Sequence, residues 1–324
     1  MDFIPVSIII PNFNGEHLLN RSLAKVVEAA HAYPGEYEII VVDDASQDNS
    51  IQLISDNFSE IKLVQHSTNK GFAEAVHSGV RSSIHSIILL LNTDVFPDCN
   101  FIAPLIRWFS REDTFCVSPL ITDRIGNPNR GSWNRGIIIR GEIRKRNWEL
   151  NEAMDLAHRG RALKSLFAEG GAAAIRKDMF LQLGGFLSIY KPFYYEDCDL
   201  CIRAWRHGWK TYFEPDSTVV HDHQQGTIRR FFGIKKIRII KRRNRLFCLW
   251  LNLSTRKLIF SHIPWIFFRL LLRLLKMDLI YALALFSALG ALREIIDLRK
   301  ILHLDNYSRF LEDVIAEISD SFDS

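Results

Sequence analysis

The chain has 324 residues, of which 48% are hydrophobic and 24% charged, with a formal net charge of +4. That length can bury a large core as one mixed domain of roughly 230 residues plus an appendage, and the odd number of cysteines, five, argues for reduced thiols and against a disulfide framework. The first residues include Asp2 and Pro5 without a basic lead-in, so a signal peptide is not expected.

Strand and helix patterns alternate over residues 1–120. Residues 6–10, 38–42, 61–65, 87–91 and 115–118 read as strands, and Leu19, Leu23, Val26, Val27 and Ala30 form an apolar helical stripe between the first two. This series predicts βαβ units and an α/β fold with a mostly parallel sheet, in which functional groups sit on loops after the strands. Those loops carry Pro11-Asn12-Phe13-Asn14-Gly15, Asp43-Asp44-Ala45-Ser46 and Asn69-Lys70-Gly71-Phe72. Gly-x-Gly-x-x-Gly does not follow the first strand and no Walker sequence occurs, which weakens nicotinamide-cofactor and P-loop readings.

The fourth run, Ile87-Ile88-Leu89-Leu90-Leu91, is apolar on both faces and is followed by Asn92-Thr93-Asp94. An Asp there emerges where open sheets bind ligands. A divalent cation on a nucleotide diphosphate needs only one or two protein carboxylates, because it retains water and takes phosphate oxygens as ligands. The plain alternative is an Asp that opens the turn Asp94-Val95-Phe96-Pro97-Asp98. Asp43 at the second strand tip can accept from a base or ribose, Phe13 can stack on a base, and Lys70 can sit near diphosphate charge. The structural alternatives are that Asp43 and Asp44 cap a helix starting near Asn49, that Phe13 packs inward and that Lys70 is solvated.

Farther along, Glu169-Gly170-Gly171-Ala172-Ala173-Ala174 has small residues that admit close approach of a ligand. Gly184-Gly185-Phe186 leads to Tyr195-Glu196-Asp197-Cys198-Asp199, where acids also suit a helix start. On a helix Asp199 points away from Asp197 by about 200°, so it is assigned a structural role. His221-Asp222-His223 follows an expected strand at 217–220, after a turn at Pro215-Asp216. Cys198-x-x-Cys201 does not combine with these His at zinc-site spacing. Residues 124–165, with Arg124, Arg130, Arg135, Arg140, Arg144, Lys145, Arg146, Trp133 and Trp148, show no clear element and read as a loop over an acceptor or a disordered insertion.

Taken in order, these motifs resemble the family 2 glycosyltransferases, which have the GT-A nucleotide-sugar-binding fold, over roughly residues 5–225. The resemblance assigns Pro11, Asn12, Phe13 and Asn14 to the first loop, with Phe13 where Tyr is more usual. It implies that Asp43 and Asp44 meet the base and ribose, and that Asn69, Lys70 and Gly71 lie along the nucleotide. Asn92-Thr93-Asp94 takes the place of the Asp-x-Asp signature, which leaves Asp94 to touch a metal. Gly170 and Gly171 line the donor site, Asp197 is the base of an inverting reaction, and Glu196 is its neighbour toward acceptor hydroxyls. His221, in preference to His223, adds a metal ligand. The implied cofactor is Mn²⁺ or Mg²⁺. The implied partners are a nucleotide diphospho-sugar and a saccharide acceptor, lipid-linked by analogy with bacterial surface-polysaccharide assembly.

Charge is unevenly spread. Residues 223–277 hold fourteen Lys or Arg and no Asp or Glu, with Arg229, Arg230, Lys235, Lys236, Arg238, Lys241, Arg242, Arg243 and Arg245 crowded among apolar residues. Such a segment suits an anionic membrane surface, where each cation contributes roughly 1 kcal/mol. The apolar runs 263–275, interrupted by Arg269 and Arg273, and 279–292 each fall short of the roughly 20 residues a bilayer span needs, so they are expected to lie in the interface. An oligomer interface or a hairpin packed on the catalytic domain are the alternatives. No nucleic-acid-binding pattern accompanies the basic stretch.

The expected organisation is a catalytic domain at 1–228, with a nucleotide half to about 120, a membrane-associating helical region at 229–304 and an acidic, solvated tail at 305–324. The expected function is a metal-dependent inverting glycosyltransferase of cell-surface polysaccharide synthesis, cytoplasmic and peripheral on the inner face of the plasma membrane. A catalytically silent nucleotide- and membrane-binding scaffold of the same fold, and a nucleic-acid-binding protein, are the competing readings.

Overall fold

The computed structural model describes residues 3–323 except 130, 145, 148, 223, 224 and 303–308. Arg130, Lys145, Trp148 and His223 therefore lie outside the described residues. The strands are β1 (Val6–Asn12), β2 (Tyr37–Asp43), β3 (Lys62–Gln65), β4 (Ile87–Leu91), β5 (Val95–Pro97), β6 (Thr114–Thr122), β7 (Ile137–Ile139), β8 (Glu142–Arg144), β9 (Ala172–Arg176) and β10 (Lys210–His221). Helices before the last strand are α1 (Glu16–Ala32), α2 (Ser50–Asn57), α3 (Phe72–Ser82), α4 (Ile102–Ile106), α5 (Leu150–His158), α6 (Lys177–Gln182) and α7 (Glu196–Arg206). After it come α8 (Thr227–Phe231), α9 (Ile234–Asn252), α10 (Thr255–Leu275), α11 (Leu279–Gly290), α12 (Leu292–Ile301) and α13 (Leu311–Asp323).

One 8-stranded sheet has the order β3-β2-β1-β4-β9-β6-β10-β5. Every strand in it runs the same way except β9 and β5, which pair antiparallel with their neighbours. Period-two alternation divides its side chains between two cores. Ile8, Ile10, Ile39, Val41 and Leu89 face α1, whose Leu19, Leu23 and Val26 are buried against them, whereas Ile9, Ile40, Val42, Ile88 and Leu90 face the opposite core. Strands that are apolar on both faces thus end up covered on both faces.

Strand directions fix where the site can be. The carboxyl ends of β1, β2, β4 and β10 share one edge, and reversal of β9 and β5 brings their amino ends to that same edge. Asn12, Asp43, Asp94, Gly171 and His221 therefore converge there although they are dispersed through 210 positions of sequence.

Several expectations change. Asp94 does not open an isolated turn, because Val95–Pro97 continues as β5 and pairs with β10. Pro215 and Asp216 lie within β10, where a register shift between Glu214 and Thr218 absorbs them as a bulge. Residues 124–165 are not structureless: they contain the β7–β8 hairpin and α5, whose Ala153 joins Trp133, Leu163 and Phe213 in a small core. In the basic region, Leu246 to Leu251 of α9 enter the same core as α7, so these C-terminal helices pack on the sheet domain. The described part of the acidic tail is not solvated on all sides. Leu311, Val314 and Ile318 of α13 are fully buried in that core, each such side chain contributing about 1.5–3 kcal/mol, and Glu317 bridges Lys164 and Lys210.

The apolar run starting at Ile263 is longer than its composition suggests. Through a π turn at Leu258–His262 it is continuous with Thr255, giving a helix of 21 residues, long and apolar enough by those measures alone to cross a membrane. Arg269 and Arg273 on it are ion-paired to Glu142 and Asp278, which pins one side of α10 to the protein.

Candidate active site

Asn12 and Asp43 are neighbours across the β1–β2 register, and Asn12 Nδ2 donates to Asp43 Oδ2 at 2.8 Å. Asp43 is buried and also accepts from Ser46 N, so it orders the loop rather than capping α2, which begins after Asn49. Asn14, with φ 50°, accepts from Gln47 N at 2.7 Å and joins the first two loops. Pro11 is the penultimate residue of β1 beside them, half-buried. Phe13 packs against Phe231 of α8, ring centroids 5.9 Å apart. Between these loops and α8 lies a cleft of about 530 Å³, lined in part by Asn14, His17, Gln47, Asp48, Arg230 and Phe231. The first turn of the basic segment therefore covers this cleft instead of facing away from it.

Asp44, like Asp43, has both carboxylate oxygens engaged by the protein. Its Oδ1 accepts from Lys70 N at 2.8 Å and meets His66 Nδ1 at 2.7 Å, while Oδ2 accepts from Gly71 N at 2.7 Å. With both oxygens taken by the protein, Asp44 fixes the β3–α3 loop and presents little to a ligand. The loop it holds exposes Asn69 and Lys70, and Gly71, at φ 90°, starts α3 in a conformation that only glycine adopts readily.

At the end of β4, Asn92 N donates to Gly171 O, which ties the two strand ends together. Thr93 and Asp94 are buried, and Asp94 Oδ1 lies 3.1 Å from His221 Nε2. Burial opposes charge on the imidazole, but the hydrogen bond and charge of Asp94, helped by Glu169 and Asp222, raise its pKa on balance. Asp222 beside it is buried against Arg124, so the insertion between β6 and α5 begins at the site.

Gly170 and Gly171 join this half to the other. A Cβ on Gly171 would stand 2.8 Å from His221 Cε1 and 3.0 Å from Asn92 Nδ2, so the absence of a side chain there is what lets those groups approach. One residue earlier, Gly170 N donates to Asp197 Oδ2 at 2.9 Å. Asp197 and the Asp94–His221 pair therefore flank a single dipeptide.

Glu196 and Asp197 open α7 after Tyr194 and Tyr195, both at φ 76°. Two consecutive left-handed tyrosines cost on the order of 1–3 kcal/mol each and persist only when their surroundings hold them. Asn244 of α9 supplies the hold. It is fully buried, and its Nδ2 donates to the carbonyls of Tyr190, Phe193 and Tyr194 at 2.6, 2.9 and 3.0 Å. The sequence reading missed Asn244; its signal was a single uncharged polar residue among the cations of that segment.

Burial, and then the charge of Asp197, push the Glu196 carboxyl up to about 8, and its Oε2 is buried with no protein partner among the described residues. The unfolded carboxyl ionises near 4.5, so the folded state holds the extra proton between these values. Stability from this group is complete below pH 4.5 and is lost as pH rises through about 8. Glu196→Gln is expected to remove that dependence, so that its urea midpoint gains on wild type between pH 5 and 9, by a few kcal/mol in free energy at the upper end. A difference independent of pH would show that Glu196 ionises normally.

Asp199, two residues on, is fully buried, its Oδ2 2.8 Å from Arg203 Nε and its Oδ1 accepting from Asn252 Nδ2. It faces away from the site, as its helical phase predicts. All five cysteines are free, and Cys198 and Cys201 are buried in the core.

The site residues suit a divalent cation held jointly with a ligand. Asp94 and His221 provide two donors, the Oδ1 of Asn92 is buried without a protein partner, and no cluster of three His, Cys, Asp or Glu exists among the described residues. A pair of protein ligands is what a cation sharing its shell with diphosphate oxygens requires.

The chain is 23% identical over 334 residues to N-acetylgalactosaminyltransferase 7 of Drosophila melanogaster, covering 97% of this chain and 53% of that protein. The chain thus spans between about a third and a half of the length of the first curated relatives it matches. Over 95 residues, 29% of this chain and 36% of the other, it is 33% identical to an Escherichia coli UDP-Glc:α-D-GlcNAc-diphosphoundecaprenol β-1,3-glucosyltransferase. The mannosyltransferase of Pyrobaculum calidifontis, solved in complex with GDP-Man and Mn²⁺, superposes with a TM-score of 0.55 at 16% identity, covering 98% of this chain and 85% of that one, and carries the GT-A fold. Residues 7–184 match the model of glycosyl transferase family 2. With more than half its length inside that match and the motif-bearing loops on one edge of a GT-A sheet, this chain belongs to glycosyl transferase family 2.

Proposed function

We propose that the protein is a metal-dependent inverting glycosyltransferase that moves a sugar from a nucleotide diphospho-sugar to a saccharide acceptor. The observation that carries this reading is the placement of Asp94–His221 and Asp197 on either side of Gly170-Gly171. Asp94 and His221 would hold Mn²⁺ or Mg²⁺, which offsets the negative charge of the departing diphosphate when bound. The nucleotide would occupy the cleft lined by Asn14, Gln47 and Asp48, with α8 over it.

The chemistry left to side chains is proton transfer and orientation. Asp197, held by Gly170 N, takes the proton of the acceptor hydroxyl as its oxygen forms a bond to the anomeric carbon and the bond to the diphosphate breaks. One displacement from the face opposite the leaving group inverts the anomeric centre. Glu196, neutral below about pH 8, can donate a hydrogen bond to an acceptor oxygen without competing for the proton. Asn244 keeps both carboxyls in place from behind.

The acceptor we propose is lipid-linked, in surface-polysaccharide assembly, and the protein is peripheral on the inner face of the plasma membrane. Support comes from the exposed apolar side of α10 and α11, where Phe260, Phe267, Leu275 and Phe286 are each at least two-thirds exposed, next to the basic surface of α9. A transmembrane α10 would bring Arg269 and Arg273 into the bilayer, at about 2.5–3.5 kcal/mol each on insertion scales, whereas lying in the interface keeps them on their acidic partners.

The test is a thermal-shift panel of UDP, GDP, dTDP and CDP, with and without Mn²⁺. One diphosphate at about 100 times its Kd should add roughly 2.7 kcal/mol of stability, with Mn²⁺ only, and Asp94→Ala should abolish the gain. A folded protein that responds to none of the four would defeat the transferase reading.

A further inference from the structure

The geometry points to a second binding site: a pocket for the phosphate of a membrane lipid headgroup, between the β7–β8 hairpin and α10. This inference rests on the membrane-facing reading given above and adds to it a specific headgroup contact. The pocket has a volume of about 240 Å³ and is lined by Glu142, Arg144, Trp265, Arg269, Arg273 and Lys276, together with Leu272. Four cations thus face one carboxylate.

Two of the cations are already committed. Arg269 pairs with Glu142, which also lies 3.5 Å from Arg245, and Arg273 shares Asp278 with Arg242 at 3.1 Å. These pairs hold the pocket's shape. Arg144 and Lys276 are exposed and have no acidic partner among the described residues, so they supply uncompensated positive charge at the mouth. The indole nitrogen of Trp265 adds a buried donor without a partner. An Arg fork and an ammonium converging on one small cavity are suited to phosphate oxygens.

The rim says that the phosphate belongs to a lipid. Phe268, Leu271, Leu272 and Leu275 of α10 stand exposed around the cations, and Met277 follows. A soluble anion has no use for that apolar border, whereas a lipid whose phosphate enters the pocket lays its chains along it. The site is also connected to catalysis through consecutive residues of α9. Arg245 donates to Ile143 O in the hairpin, and Asn244 holds the loop that orients Glu196 and Asp197.

Co-sedimentation of the full chain with vesicles tests this. The vesicles contain phosphatidylcholine alone, or with phosphatidic acid, or with phosphatidylglycerol at matched surface potential. Wild type is expected to bind the phosphomonoester vesicles at least about tenfold more tightly than the phosphatidylglycerol ones. Arg144→Ala with Lys276→Ala should cost about 30-fold on phosphatidic acid and erase the preference. Lys235→Ala with Arg238→Ala removes equal charge from exposed positions on α9 and should weaken both anionic vesicles alike, leaving the ratio intact. If the two double variants behave identically and wild type has no preference, the pocket assignment falls while membrane docking survives. If wild type sediments with no vesicle, both fall, and the nucleotide panel still reports on the transferase site. In calorimetry without vesicles, inorganic diphosphate should bind the wild-type pocket only weakly. Binding as tight as that of phosphatidic acid vesicles, lost in Arg144→Ala with Lys276→Ala, would make it a free-anion site and overturn the lipid assignment.

Discussion

Asp197→Asn is expected to lower sugar transfer by about 10²–10⁴-fold, the usual contribution of a general base, with Mn²⁺-dependent stabilisation by the nucleotide unchanged. The amide oxygen can still accept from Gly170 N, so the local backbone should stay in place. What disappears is a group able to take a proton. The loss should therefore fall on kcat more than on the KM for donor, and nucleotide binding by thermal shift should match wild type. Asp94→Ala should show the reverse pattern, losing donor binding first. If Asp197→Asn retains full turnover, Asp197 is not the base, and the proton goes elsewhere.

The second large effect lies two residues away and is of another kind. Asp199→Ala is expected to destabilise the fold by about 3–5 kcal/mol, because it leaves the Arg203 guanidinium buried without its counter-charge. Arg203 also donates to Leu183 O and Gly185 O, and Asp199 accepts from Asn252 at 2.7 Å, so the pair fastens α7 both to the Gly184-Gly185 turn and to α9. Urea denaturation should show a lower midpoint. The fraction still folded at low temperature should turn over substrate with a donor KM close to wild type. Asp199→Ala combined with Arg203→Leu should recover part of the stability, since removing both charges ends the uncompensated burial. A stable Asp199→Ala protein without activity would instead place Asp199 in the chemistry.

This contrast between neighbouring acids was legible in part. Helical phase alone separates Asp197 from Asp199, because side chains two apart on a helix point to different sides. That Glu196 sits beside Asp197 in a buried, proton-retaining environment was not legible, since burial depends on elements far away in sequence. The same holds for Asp44. Its spacing resembles that of a nucleotide-binding acid, yet both oxygens are consumed by a loop some 26 residues away.

By itself the sequence determined β1 to β4, the positions of β6 and the end of β10, and the motif-bearing loops, but not β5, β7, β8 or β9, because apolar alternation and strand-end polar residues are local patterns and only the longer ones survive in one dimension. It also determined which residue types were available: Asp94, Asp197 and His221 are there to be read. The tertiary structure alone decided their adjacency. Insertion of β9 between β4 and β6, in the reverse direction, carries Gly170-Gly171 to the shared edge, and no local propensity encodes strand order. The C-terminal segment was decided the same way. Its charge suggested a surface, but Asn244, Leu246 and the apolar face of α13 are drawn into the core under the loop that leads into α7. Burying them removes apolar area from water and satisfies carbonyls that the left-handed tyrosines would otherwise leave bare, a gain that exists only once the chain has closed on itself.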